Sequence, residues 1–225
     1  MSIRTKFIIL LCLAILCLAP QVLTPYHTTL LLPAIAYSII LLGFNLLFGY
    51  TGLLSFGHAL FVAIGAYTVA IMTSRLGIKG METILLIALG VGALVAIPIG
   101  LICVRYVRIF FGMLTLAFGM LFHSILFKFY ELSGGDSGIQ VVRPYLLGQD
   151  LSGMDKTSFL IGPFFYYSII ILILLAALMW RIVHSPMGMH FRAIRDNPRK
   201  AEYLGIQVHR FRLISFVISA VYGAI

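Results

Sequence analysis

No Asp, Glu, Lys or Arg occurs between Lys6 and Arg75. Charge is scarce elsewhere too: 10% of the chain is Asp, Glu, Lys or Arg, and only seven residues are acidic. All of the acidic residues fall in loops or at their edges, which leaves no carboxylate inside a membrane span. Ion-coupled secondary transporters commonly place Asp or Glu at membrane depth, so that class is disfavoured. Cysteine is equally sparse. Cys12 and Cys17 lie in the first apolar segment and Cys103 at the end of another, and none has metal-ligand spacing with a His or a second Cys. No cluster has the make-up of a metal site or a catalytic triad, so neither metal ligands nor catalytic residues are expected.

Apolar residues are abundant: 61% of 225. A soluble domain cannot hide that much apolar surface, because its own surface grows with its core. Composition therefore predicts an all-α, polytopic transmembrane bundle, one membrane-embedded domain over 1–225. The opening MSIRTKFIILLCLAILCLAPQ resembles a signal peptide in its charge and apolar run. It has no clear small-x-small cleavage site before Pro20, and reads as a retained first helix.

About 20 residues cross the hydrocarbon core. Breaks at Pro20–Pro25 and around Gly49–Gly57 divide the uncharged run into spans at 7–23, 30–48 and 57–74. Three more are expected at 83–104, 109–128 and 161–180. A seventh begins at Leu213 and is only started at Ile225, so the chain is expected to end inside a helix, C-terminally incomplete. With the N-terminus in the cytoplasm, the inner side holds Arg4, Lys6, Arg105, Arg108, Arg181, Arg192, Arg195, Arg199, Lys200, Arg210 and Arg212. The outer side holds Arg75, Lys79, Lys128, Arg143 and Lys156. This bias predicts an N-in orientation. It also accounts for the net charge of +9 without nucleic acid, since no soluble basic domain is present to bind it.

The stretch GYTGLLSFGHALFVAIGAY, 49–67, puts glycines, a serine and a histidine where a spanning helix should be strongest. Irregular backbone is tolerated at membrane depth only when protein or a water-filled cavity covers it. Transporters use such discontinuous helices to line a substrate path. A broken or re-entrant segment is therefore expected near 49–57, with Asn45, Gly49, Gly52, Ser55, Gly57 and His58 beside the pathway. For Asn45 and Ser55 helix–helix hydrogen bonding is the competing role, and for His58 a bond to a backbone carbonyl is equally compatible. Ladders of small residues, Ser55-Ala59-Ala63 and Ala88-Gly92-Ala96-Gly100, predict close helix packing within the subunit.

Two connections are long: 129–160 outside and 181–212 inside. In the outer one, SGGDSGI reads as a tight turn in which Asp136 can fold back on the backbone. In the inner one, Ser185-Pro186 and Asn197-Pro198 are each an N-cap followed by proline in the first turn, and Gly205 supplies a left-handed stop. NPRKAEYLG is thus a helix of about two turns, too short to stand without a surface beneath it. Ala201, Leu204 and Gly205 are expected to share a face. The surface is either anionic lipid or a cytoplasmic partner.

SPMGMHFRAIRDNPRKAEYLGIQVHRFRLISFVISAVYGAI, NLLFGYTGLLSFGHALFVAIGAYTVAI, GMLTLAFGMLFHSILF and LSGGDSGI together resemble branched-chain amino acid ABC importer permeases of the LivM/LivH type. The resemblance covers most of 40–225, and members of that family continue well past Ile225. It implies a permease subunit in a bacterial or archaeal inner membrane, paired with a related permease. It also implies two cytoplasmic ATPases that consume the ATP, an external substrate-binding protein, and no cofactor on this chain. The 181–212 loop then becomes the ATPase-docking element, with Arg192, Arg195, Asp196, Arg199, Ala201, Glu202, Leu204 and Gly205 at the contact. Urea or short-amide permeases are the nearest alternative; an ion-coupled transporter or a membrane scaffold are alternatives of a different class.

Overall fold

The computed structural model describes residues 16–106, 109–149 and 153–225, with backbone alone for Leu132 and Asp136. Residues 7–15 of the first expected span, together with Arg4, Lys6, Cys12, Arg108 and the expected Asp136 side-chain turn, lie outside what is described. Residues 16–22 are helical. The helices that organise the chain are α1 Pro25–Asn45, α2 Ala59–Ser74, α3 Met81–Cys103, α4 Ile109–Lys128, α5 Pro163–His184, α6 Pro186–Asp196, α7 Pro198–Tyr203 and α8 Val208–Ala224; short helices at Tyr130–Ser133 and Lys156–Ile161 lie in the 129–160 connection. Among the described residues there is no β-strand; two isolated bridges pair Gly80 with Tyr145 and Leu146 with Gln149.

Six complete spans were expected. Among the described residues, four helical stretches are long and apolar enough to cross a bilayer: Pro25–Tyr50, Met81–Cys103, Ile109–Lys128 and Lys156–His184. The fifth, α2, is apolar but has only 16 residues. At 1.5 Å per residue it covers about 24 Å, short of the roughly 30 Å hydrocarbon core. A non-helical segment, 52–57, precedes it. The expected boundaries 30–48 and 161–180 widen to Pro25–Tyr50 and His184. Pro25 sits in the first turn of α1, where its missing N–H costs nothing. The last helix begins at Val208, not Leu213, because His209, Arg210 and Arg212 are carried on a helical backbone that starts before the apolar run does.

The core is built around α8, which packs on α1, α2 and α3. Its buried face includes Ser215, Phe216, Ser219, Ala220, Tyr222 and Gly223. The small-residue ladder of α3 meets it: Ala88, Gly92, Ala96 and Gly100 are all buried. A Cβ on Gly92 would lie 2.8 Å from the Ala224 Cβ, and one on Gly100 2.6 Å from the Leu213 Cδ1. This is intrasubunit packing, as expected. The other ladder does not form, because Ser55 precedes α2 on non-helical backbone and Ala59 is exposed. An edge-to-face series joins α2, α4 and α8 through Phe61–Phe216 at 5.6 Å and Phe111–Phe216 at 5.8 Å between ring centroids. Tyr222 donates to the Leu175 carbonyl at 2.9 Å and ties α8 to α5.

Segments assigned to one side of the membrane meet one another. On one side, Tyr145 donates its N–H to Lys79 at 2.6 Å, Met81 donates to Tyr145 at 3.0 Å, and the Leu147 N–H donates to the Glu82 carboxylate at 2.8 Å. The Arg75 guanidinium donates to the Glu131 carbonyl. SGGDSG is the tight turn expected, with Gly134, Gly135 and Gly138 all at positive φ. On the other side, Arg105 and Val104 border one cavity with His209, Arg210 and Leu213.

Candidate functional site

The break in the membrane helix starts as a change of helix type. After Asn45 the chain widens into a π-helical turn, Leu46–Tyr50. Gly52 then takes φ +76°, a left-handed conformation that only glycine adopts without strain. A continuing α-helix would send the Leu53 N–H to the Gly49 carbonyl. Gly52 still donates to Phe48 at 3.2 Å, the last bond of helical spacing, but Leu53 donates to Leu47 at 3.1 Å instead. Residues 52–57 run without helical structure; Leu53, Ser55 and Gly57 are buried, whereas Gly52 and Phe56 are exposed. The Phe56 N–H donates to the Thr115 hydroxyl on α4 at 3.2 Å. Gly57 lies so close to α4 that a Cβ would fall on the Thr115 carbonyl. Leu53 is buried among Leu47, Phe111 and Phe216.

His58 closes the segment. Its Nε2 lies 3.0 Å from the Ser219 hydroxyl and 3.2 Å from the Ser219 carbonyl, both on α8. The ring stands edge-on to Phe44 at 5.5 Å and Phe61 at 5.7 Å. Of the two roles open to His58, the backbone-bonded one is present. Its Nδ1 and the Ser55 hydroxyl are buried without a hydrogen-bond partner. Ser219 is the twelfth residue of α8, about 16 Å along its axis at 1.5 Å per residue. The 51–58 segment thus runs from the C-terminal end of α1 towards the middle of the bundle, where α2 takes over.

The inner loop forms the second half of the site. On α6, Phe191 and Ile194 are fully buried, Phe191 beside Leu46, Met179 and Tyr222. Ser185 stands at the N-cap position of α6, but its hydroxyl donates to the Ile182 carbonyl at 2.6 Å and caps nothing ahead of it. Asn197 does cap α7, accepting from the Lys200 N–H at 3.1 Å. At the other end, Ile206 donates to Ala201 at 3.0 Å and Gly205, at φ +83°, donates to Glu202 at 2.9 Å. These paired bonds form a Schellman closure, and Ile206 packs with Ile194, Ala201 and Val208 beneath it. Asn197→Ala removes the N-cap acceptor. A cap of this kind contributes about 1 kcal/mol, so amide exchange across 198–204 should rise about fivefold. Mass-spectrometric exchange reads this directly; unchanged protection would contradict the capping role.

The structure separates the expected docking residues. Ala201 is 2% exposed and turned inward, whereas Leu204 is 79% exposed and Tyr203, not singled out from sequence, 89%. Ala201, Leu204 and Gly205 do not share one face, because the helix ends before Leu204 and Gly205 lies in the left-handed closure. Asp196, Arg199 and Glu202 are exposed. Arg192 lies along its own helix, reaching the Gly188 and Val183 carbonyls at 3.4 Å. Arg195 points to the break, donating to the Gly49 carbonyl. Of the expected pathway residues, Asn45 is exposed with its side chain over Gly49, while Ser55, Gly57 and His58 are buried. None of the six lines the apolar cavity of about 290 Å³ between α1, α2, α3, α5 and the end of α8. Gly57 does line another, about 330 Å³, with Ala59, Gly119 and His123. Thr115 and Ser219, which hold the break, were missed from sequence; lone hydroxyls in apolar helices carry no local signal.

A bundle of apolar helices with one broken crossing held against an amphipathic loop defines a multi-pass integral membrane protein of the permease type. The family model described as branched-chain amino acid transport system / permease component matches residues 26–225, and the chain belongs to that family. It is 31% identical over 204 residues to the high-affinity branched-chain amino acid transport system permease protein LivM of Escherichia coli strain K12. The same identity over the same length relates it to LivM of Salmonella typhimurium strain LT2. Each match covers 83% of this chain and 48% of the relative, so the chain spans about half the length of those relatives. A shorter match, 34% over 61 residues (27% of this chain and 19% of the relative), is to the guanosine ABC transporter permease protein NupQ of Bacillus subtilis strain 168. No solved structure matches the chain.

Proposed function

We propose that this chain serves as a permease subunit of an ATP-driven importer, contributing part of the translocation pathway and one ATPase-docking loop. The exposed Tyr203–Leu204 tip carries the reading. Two large apolar side chains stand free on a short helix fixed at both ends, between α5 and α8. Such a tip is unfavourable in water and suits a cleft on a partner. The same short helix carries exposed Arg199, Lys200 and Glu202, charges suited to pairing at the rim of such a cleft. ATP is consumed by two cytoplasmic ATPases, and this chain has no enzymatic activity and binds no cofactor of its own.

A related permease completes the pathway in the lipid bilayer. The 129–160 loop receives the substrate-binding protein; its ties through Tyr145 and Leu147 to the start of α3 make it a braced platform. The lysine and arginine bias supports an N-terminus in the cytoplasm and an inner-membrane location. The cargo is a branched-chain or related amino acid, a reading supported by the two LivM relatives. The guanosine permease match supports nucleosides as a second reading.

Reconstitution with the ATPases and binding proteins in proteoliposomes tests this. Leucine, isoleucine or valine with its binding protein should raise ATP hydrolysis several-fold. Stimulation by guanosine alone would assign the nucleoside reading. No stimulation by either class would overturn the importer assignment.

A further inference from the structure

Arg195 was expected at the rim of a partner contact; it is exposed, and its guanidinium donates to the Gly49 carbonyl at the break. That carbonyl lacks its helical donor, because the Leu53 N–H has moved to Leu47. The arginine therefore supplies, from the inner loop, the hydrogen bond that the break removes. Its aliphatic stem passes beneath Gly52, with Cγ 3.3 Å and Cβ 3.7 Å from where a glycine Cβ would stand. Gly52 thus does two things: its positive φ turns the chain, and its missing side chain admits Arg195.

The helix bearing Arg195 is fixed at its other contacts. Phe191 and Ile194 are 0% and 1% exposed, and Ile194 packs on Ala201 and Val208, which seats α7 against α6. Displacement of the Tyr203–Leu204 tip is therefore transmitted through Ala201 and Ile194 to α6. Its only described side-chain hydrogen bond to the break is the one from Arg195. Beyond Gly52 the chain has one further anchor on α4, at Thr115, and one on α8, at Ser219. Physical coupling needs an element with two arrangements that both sites bias. The π-turn and its carbonyl provide one, since Gly49 can be bonded by Leu53 in a regular helix or by Arg195 in the broken form.

We propose that Arg195 is a positioning residue that latches the inner loop to the broken membrane segment, holding the break open while its guanidinium stays on Gly49. The transport consequence rests on the importer reading above; the latch itself does not. Arg195→Met keeps the stem under Gly52 and removes the donor, and Arg195→Lys restores a donor. With the full chain in nanodiscs, amide exchange across 47–53 should change at least severalfold in Arg195→Met and return towards wild type in Arg195→Lys. In the complex with its ATPases, Arg195→Met should lose most of the substrate-stimulated increment over its own basal hydrolysis, with Arg195→Lys intermediate. Wild-type exchange across 47–53 in Arg195→Met overturns the latch. So does full stimulation in that variant. A wild-type complex that responds to no substrate overturns the importer reading instead, and the exchange measurement still decides the latch.

Discussion

Gly57→Ala is expected to abolish most accumulation of folded protein. The added methyl falls on the Thr115 carbonyl, with the Thr115 carbonyl carbon and the Leu116 nitrogen close behind it. These are backbone atoms of α4, so no side-chain rotation relieves the clash. Overpacking typically costs 1–3 kcal/mol, and a backbone obstruction belongs at about 3 kcal/mol or above. Relief requires moving 52–57 away from α4, which also strains the Phe56 bond to Thr115. Gly90→Ala is the matched control: it lies inside α3 with nothing within 4 Å of the new methyl. There the loss of glycine should be neutral or mildly stabilising. Detergent-solubilised yield and thermal midpoint, measured for both, decide the matter. Equal yields for the two variants would show that the close approach at Gly57 does not exist in the membrane.

The second large effect concerns assembly. Leu204→Asp should reduce ATPase copurification about tenfold or more, the scale of losing a central apolar anchor at an interface. The permease itself should fold normally, because Leu204 is 79% exposed and no partner within the chain depends on it. Gly205→Glu is a less clean probe. Gly205 sits at φ +83° in the closure of α7, so any side chain there also disturbs the loop that presents the tip. Normal membrane insertion with lost copurification in Leu204→Asp supports docking at the tip. Undiminished copurification would place the ATPase contact elsewhere on the loop.

Local chemistry was legible in the sequence. The Asn197 cap, the Gly205 stop and the bounds of α4 at 109–128 all follow from residues within a few positions of one another. The break near 49–57 was legible too, because glycine and polar groups in an apolar run have few other uses. What covers the break was not. Thr115 and Ser219 are far away in sequence, and a hydroxyl's bonding direction is decided by tertiary packing. The start of α8 was misplaced because hydropathy marks where lipid begins, whereas a helix follows backbone hydrogen bonds past the apolar boundary. The face assigned to Ala201, Leu204 and Gly205 assumed that 3.6-residue periodicity continues through the stop. The closure ends it, sending Ala201 inward and Leu204 out. Arg195 was read by its charge, but its partner is a carbonyl whose need for a donor appears only once the π-turn is known.

His58 and Ser219 stand 161 positions apart, and their bond carries a consequence for biogenesis. When the ribosome releases the 51–58 segment, neither α4 nor α8 has been made. At synthesis rates of about 5–20 residues per second, the partner on α8 follows roughly 8–32 s later. During that interval α3 and then α4 are made and can pack on α2, but His58 lacks its Ser219 partner. The site around the break is therefore completed late, when α8 brings Ser219 to His58.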